Sequence, residues 1–264
     1  MRFGFIGCGN MGGAIARGIC AMVGGDNLVL ANRTHEKAEQ LSKELGARAG
    51  SNADAARCDF VFLGVKPHLM EDMLRQLRPS LESNPEAVLV SMAAGLTTLR
   101  IREMAGTSNP VIRIMPNTPA AYGVGMIQYC MLDVRPEQEK VFLSAMSKCG
   151  RLDPLAEELI DAASAVSGCG PAFACIFAEA LADGGVACGL PRAAALEYAA
   201  QMLIGTGTML LESGKHPGSL KDSVCSPGGS TIQGVRVLEE AGLRGAVMDA
   251  VIAAFEKNRD LGKK

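Results

Sequence analysis

Residues Gly7-Cys8-Gly9-Asn10-Met11-Gly12 spell G-x-G-x-x-G. The preceding run, Arg2 to Gly7, is short and apolar and suits a buried strand. The following run, Met11 to Val23, repeats apolar residues at helical spacing (Met11, Ile15, Ile19, Met22). In a strand–turn–helix each glycine has a task. Gly7 allows the tight turn, Gly9 lets backbone approach a pyrophosphate, and Gly12 permits close packing of helix on strand. The helix start then offers N–H groups and a positive dipole end to phosphate. The pattern therefore points to a dinucleotide held by residues 7–12, Cys8, Asn10 and Met11 included. A glycine-rich turn that merely packs the helix is the alternative.

The next strand tip selects the dinucleotide. A site for NAD places an acid about 20 residues beyond the glycines, to bond the ribose hydroxyls. Here Asn32, Arg33 and Thr34 occupy that tip, while Asp26 lies at the wrong end of the strand. A carboxylate repels a 2′-phosphate, whereas Arg33 and Thr34 welcome it. NADP(H) is expected to be preferred, with NAD(H) as the alternative.

Further strand tips carry unusual residues. Val65-Lys66-Pro67 closes one, and Ser91-Met92-Ala93-Ala94-Gly95 closes another. Small residues at Ala93, Ala94 and Gly95 let a flat ring lie against backbone. Met115-Pro116-Asn117-Thr118-Pro119 closes a third; its two prolines stiffen the loop, and Asn117 offers a donor and an acceptor. The alternatives are a surface lysine at Lys66 and a rigid turn at Asn117. Asn52 completes the set of expected cofactor contacts.

These tips imply elements that position them. Strand-like runs at 27–31, 60–65, 87–92 and 111–115 alternate with helix-like runs at 35–45, 70–77 and 99–104. That rhythm predicts a parallel sheet with helices on both faces, binding ligands at the carboxyl ends of its strands. From Glu157 onward no strand is expected. Runs 171–187, 191–211, 234–241 and 246–258 read as helices, with Pro171 and Pro191 in first turns. The fold class is α/β: an N-terminal Rossmann-type doubly wound sheet over 1–155, then an all-helical domain over 156–264.

Composition excludes several functions. The chain has 264 residues, 26 basic and 28 acidic, for a net charge of −2. That balance, without any basic cluster, argues against nucleic-acid and acidic-membrane partners. Aromatics are 4% and Trp is absent, against a carbohydrate platform. No uninterrupted apolar stretch of membrane-spanning length is read, nor a signal peptide. The nine cysteines are odd in number and contain no C-x-x-C pair. They are expected to be reduced, mostly buried thiols of a cytoplasmic protein. The three histidines form no ligand-spaced pair, so no metal is expected.

Over essentially its whole length the chain resembles pyrroline-5-carboxylate reductase. The resemblance rests on Phe5-Ile6 with the glycine loop, Asn32-Arg33, Val65-Lys66-Pro67, Met115 to Pro119 and Ser167-Gly168-Cys169-Gly170-Pro171-Ala172-Phe173. Most specific is the stretch from His216-Pro217-Gly218 through Ser226-Pro227-Gly228-Gly229-Ser230-Thr231-Ile232. It implies NAD(P)H-dependent reduction of Δ1-pyrroline-5-carboxylate to L-proline, the last step of proline synthesis. It also implies a homodimer through the helical domain, assembled further into decamers, with the active site close to the dimer interface. Three positions depart from the family: Cys169 for a common Ser, Phe173 for a common Tyr, and Gly64 for a common Ala.

The substrate is a cyclic imine carrying a carboxylate. Once its nitrogen is protonated the imine carbon accepts hydride readily, so positioning is the main lever. The glycine turn and helix start at 226–231 suit a carboxylate, with Ser226, Gly228, Gly229, Ser230 and Thr231 as substrate contacts. The resemblance points to Thr231 as the catalytic hydroxyl on the imine nitrogen; ordinary N-capping is the alternative. Glu179 and Asp183, at i and i+4, are expected to be solvated or interface carboxylates rather than an acid pair. Cys169 and Cys225 are expected to be buried filler with no His or Lys nearby, and His216 a cap or turn. A 3-hydroxyacid dehydrogenase is the nearest rival, but it needs a lysine early in the second domain, and none occurs between Lys148 and Lys215. A nucleotide sensor is the non-enzymatic rival; it has no need of the loop at 226–231.

Overall fold

The computed structural model describes residues 1–261. They form two compact units: one comprises Met1–Cys169 with the chain from Ala254, the other Gly170–Ala253.

The first unit is built on an eight-stranded sheet of order β3-β2-β1-β4-β5-β6-β7-β8. The strands are β1 (Phe3–Ile6), β2 (Leu28–Ala31), β3 (Arg48–Ala49), β4 (Phe60–Leu63), β5 (Val88–Ser91), β6 (Val111–Met115), β7 (Gly125–Leu132) and β8 (Gly150–Pro154). The first six run parallel, in the Rossmann order 3-2-1-4-5-6. The central strands are apolar throughout because both faces are covered. In register, Phe3 stacks on Phe60 and Phe5 on Phe62, at 5.4 and 4.7 Å. This face is covered by α1 (Asn10–Val23), α2 (His35–Leu45) and α6 (Pro136–Met146) through Ile15, Ile19, Leu41 and Phe142. The other is covered by α3 (Asn52–Ala56), α4 (Met70–Glu82) and α5 (Thr98–Ala105) through Ala55, Leu74 and Ile101. The doubly wound sheet is therefore as expected.

Several elements depart from the expectation. Strand β7 returns antiparallel to β6, so the sheet is not wholly parallel. It escapes a periodicity reading because Gln128 is buried among its apolar residues. Strand β8 lies at the edge, carries Arg151 and Asp153, and ends in an exposed proline. Strand β3 is only two residues long. Pro191 is the N-cap of its helix rather than a first-turn residue. Three cysteines are buried, four are half-buried, and Cys175 and Cys188 are exposed, so most are not buried.

Helix α7 (Ile160–Ser167) belongs to the first unit. The second unit contains α8 (Gly170–Ala187), α9 (Arg192–Ser213), α10 (Pro217–Ser223), α11 (Ser230–Glu240) and the start of α12 (Leu243–Leu261). It buries only Ala182, Ala195, Ala199 and Leu220 among its described residues, and exposes Ile176, Ile204, Leu211 and Met248. An apolar surface of that extent marks an interface. One helical stretch, Glu157–Ala187, is long and apolar enough to cross a membrane by length and composition, with a mean hydropathy of 1.5. The stretch is not an uninterrupted apolar run, since Ser164, Ser167, Glu179 and Asp183 fall within it.

The tip of β1 is fixed by contact between glycine backbones. A Cβ on Gly12 would lie 2.1 Å from the Gly7 carbonyl oxygen, and one on Gly64 2.4 Å from the same atom. Gly7 has φ +98°, and its own Cβ would meet the Gly64 carbonyl oxygen at 2.5 Å. Backbone cannot swing aside as a long side chain can, so Gly64→Ala should destabilise the first unit by ~1–3 kcal/mol, as overpacking does. The check is the urea midpoint against the parent; an unchanged midpoint contradicts the contact. The exposed helices of the second unit give another expectation. If a second copy covers them, the melting temperature rises with protein concentration by mass action; a concentration-independent melt speaks against it.

Candidate active site

The turn after β1 leaves one side open. A Cβ on Gly9 would meet nothing within 4 Å, although Gly7 and Gly12 are hemmed in. Gly9 is the N-cap of α1, and no side chain caps that helix. The loop thus presents backbone donors toward open space, the cradle that a pyrophosphate fits. Cys8 is held from below: its N–H donates to Asn32 Oδ1 at 3.0 Å and its thiol to the Ala31 carbonyl. Burial pushes that thiol up to about 11, so it stays protonated and unreactive at neutral pH.

Asn32 joins the two loops, since its Nδ2 also donates to the Thr34 carbonyl at 3.0 Å. Arg33 and Thr34 stand exposed beside it, with Thr34 as the N-cap of α2 making no side-chain cap. Between α1 and α2 lies a groove of about 310 Å³, lined by Gly9, Asn10, Arg17, Lys37, Gln40 and Glu44 among others. Arg17 closes it with a two-bond pair to Glu44 at 2.7 and 2.9 Å. That hydrogen bonding lowers the Glu44 carboxyl below its usual range and raises Arg17. Lys37 was not singled out in the sequence. Its signal was there: four residues after Arg33, on the first turn of α2, it adds a second cation beside the glycine loop.

The remaining tips fall around the same edge of the sheet. Lys66 is exposed and extended, N-capping the short 3-10 turn Pro67–Leu69 after β4, with Val65 half-buried. After β5, the Ala93 N–H donates to Ser91 Oγ at 3.3 Å, and Gly95 takes φ +75°. Ala93 is buried, while Ala94 and Gly95 are half-buried. Asn52 begins α3, which Ser51 and Asp54 close with a reciprocal capping box. Asn117 is buried and its amide is committed internally. Its Nδ2 donates to the Ser167 carbonyl at 2.9 Å, and its Oδ1 accepts from the Met126 N–H at 3.0 Å. The donor and acceptor read from the sequence therefore brace the β6–β7 connection, which leaves backbone as the surface Asn117 can offer a ligand.

In the second unit, Ser226 to Gly229 form a tight turn closed by the Gly229 N–H donating to the Ser226 carbonyl at 3.0 Å. Gly228 takes φ +69°, and a Cβ on Gly229 would lie 2.5 Å from Ser226 Oγ. Helix α11 starts at Ser230, four residues before the expected Gly234, because Gly229 serves as its N-cap. No side chain caps it. Ser230 and Thr231 therefore sit exposed in a first turn whose N–H groups are uncovered by any cap. The alternative of ordinary capping does not describe Thr231 here.

Other residues resolve more simply. Asp183 pairs with Arg192 at 2.5 Å and so is a surface ion-pair member. His216 caps α10, its Nδ1 accepting from the Gly218 N–H at 3.1 Å. Cys225 is half-buried with Lys221 within electrostatic reach, contrary to the expectation of no nearby lysine. Among the described residues no group of His, Cys, Asp and Glu could hold a metal ion.

Comparison with known proteins bears on both units. Residues 157–261 match the family described as pyrroline-5-carboxylate reductase dimerisation. Residues 2–95 match the one described as NADP oxidoreductase coenzyme F420-dependent. Pyrroline-5-carboxylate reductase of Escherichia coli K12 is 40% identical over 99% of this chain and 98% of its own. The enzyme of Pisum sativum is 39% identical over 98% of this chain and 95% of its own. The crystal structure of Plasmodium falciparum pyrroline carboxylate reductase with NADP bound has a TM-score of 0.89 and 33% identity, covering 99% of this chain and 98% of that one. The dimerisation match falls on the helices whose apolar faces lie exposed, and the oxidoreductase match on the glycine cradle. Sequence, fold and comparison thus converge: the chain belongs to the pyrroline-5-carboxylate reductase family, an oligomeric enzyme that reduces 1-pyrroline-5-carboxylate to L-proline with NAD(P)H.

Proposed function

We propose that the strand tips of the first unit hold NADPH and that the turn and helix start at 226–231 hold the imino acid. The observation that carries the substrate half is the uncapped start of α11, with Gly228 and Gly229 before it and Ser230 and Thr231 exposed in its first turn. First-turn N–H groups and the hydroxyls of Ser226 and Ser230 bind the carboxylate, as helix starts bind anions. The Thr231 hydroxyl bonds the ring nitrogen and orients it. When bound, NADPH supplies the hydride that reduces the protonated imine carbon. No strong acid is required of the chain, because the substrate arrives already protonated on nitrogen.

For the cofactor half, residues 7–12 hold the pyrophosphate, while Arg33, Thr34 and Lys37 receive the 2′-phosphate. Asn32 serves by locking the two loops together. Asn52, Val65, Lys66 and Pro67 line the adenosine side, with Ala93 to Gly95 and the Asn117 turn by the nicotinamide. A second copy covers the apolar helices of 157–261, which is how this reading accounts for the membrane-like stretch. Assembly of dimers into a decamer rests on the family resemblance alone. A cytoplasmic location is supported by nine free cysteines, as a reducing compartment keeps them.

Two experiments test this. Thr231→Ala should lower kcat by roughly 10²-fold, the lower range for a positioned hydrogen bond in catalysis, with NADPH affinity intact. An unchanged kcat/KM refutes its role. The parent should show a lower KM for NADPH than for NADH, and Arg33→Ala should raise the NADPH value about tenfold, the loss of one charged contact, leaving NADH nearly unmoved. A preference for NADH in the parent overturns the assignment of Arg33.

A further inference from the structure

A charged cluster built on one buried arginine lies in the first unit. Arg113 stands on β6 with its side chain 2% exposed. It donates to Asp161 at 2.6 Å, in the first turn of α7, and pairs with Glu157 at 3.7 Å. Glu157 in turn accepts from the Thr98 N–H at 2.7 Å and the Thr98 hydroxyl at 3.0 Å. It thereby caps the start of α5, three residues beyond Gly95. At the other end of α7, the Ser167 carbonyl accepts from Asn117, and the Ser167 hydroxyl donates to Gln128 Oε1 at 3.1 Å. One guanidinium therefore fixes two loops: the turn after β5 through Glu157, and the turn after β6 through Asp161 and α7.

Stability alone does not explain the cluster. Burying the Arg113 guanidinium costs several kcal/mol, and well-packed apolar residues often serve as well or better. Moreover, Arg113 Nε is buried with no hydrogen-bond partner among the described residues. What charges provide and apolar packing does not is direction: the guanidinium fixes Asp161 by angle as well as distance through its hydrogen bond, and it holds Glu157 by charge.

We propose that Arg113 is a positioning residue for hydride transfer: through Glu157 and Asp161 it sets the turns at Gly95 and Asn117 against each other. It touches neither substrate nor cofactor. The inference rests on the reading that these two turns flank the nicotinamide.

The test uses the full chain. Arg113→Met with Glu157→Gln and Asp161→Asn removes all three charges together, so no lone charge is stranded. This variant should melt close to the parent, and its Kd for NADPH should stay within about threefold, because the pyrophosphate and adenosine contacts are untouched. Its kcat should fall on the order of tenfold or more through misplacement of the reacting carbon. The kinetic isotope effect on kcat with NADPH deuterated at the transferred C4 position should rise, as hydride transfer becomes limiting. A purely structural fault lowers the active fraction and leaves that isotope effect unmoved. Asp161→Asn alone keeps Arg113 paired with Glu157 and should change kcat and isotope effect in the same direction by less; if the triple variant does not fold, it decides by the same two readouts. Unchanged kcat and isotope effect in a folded variant, or a loss confined to NADPH affinity, overturn the proposal. The underlying reading fails separately: a complex with NADPH whose nicotinamide lies away from Gly95 and Asn117 removes it, whatever the variants do.

Discussion

The carbonyl of Gly7 is the atom around which the first unit is arranged. Gly12 and Gly64 approach it so closely that neither position has room for a Cβ. The contact brings the start of α1 onto the tip of β1 and the tip of β4 beside both. From it follow the direction in which α1 points its donors and the open space beside Gly9. Asn32 then ties the neighbouring tip of β2 to the same turn through the Cys8 N–H. This edge of the sheet is thus held by backbone contacts, with the Asn32 side chain serving to hold backbone in place.

Gly64 shows how far such a contact can be read in advance. The sequence marked it only as a departure from a common alanine in the resembling family. In this chain the departure is structural, because the Gly7 carbonyl occupies the place where the alanine methyl would stand. The same economy appears at Asn117, whose amide braces the β6–β7 connection, and at Asn32, whose amide is spent on two loops. Side chains that looked like ligand contacts act one step behind them.

The alternation of elements was legible because central parallel strands are buried on both faces and stand out as short apolar runs. Strands β7 and β8 were not, since a buried Gln128 and an edge ending in Pro154 break that signature. Lys37 was missed because a lysine on an amphipathic helix reads as a solvated face until the groove beside Gly9 is seen. The stretch from Glu157 to Ala187 concealed another feature: Ser164, Ser167, Glu179 and Asp183 interrupt it, yet its mean hydropathy stays at 1.5. Buried Arg113 carried no signal at all, since an arginine between Ile112 and Ile114 reads as the polar face of a strand, and only its distant partners reveal its use.

The chemistry asks little of the second unit beyond grip. A protonated imine needs its carboxylate held and its nitrogen oriented, and on the reading proposed above both tasks fall to the uncapped start of α11 and its adjacent hydroxyls. The most direct measurement is a crystal structure of the enzyme with coenzyme and a saturated ring-acid mimic of proline. The account predicts the mimic's carboxylate on the backbone N–H groups at the start of α11, with its ring heteroatom within hydrogen-bonding distance of the Thr231 hydroxyl. A mimic bound elsewhere, with that helix start left to solvent, contradicts it.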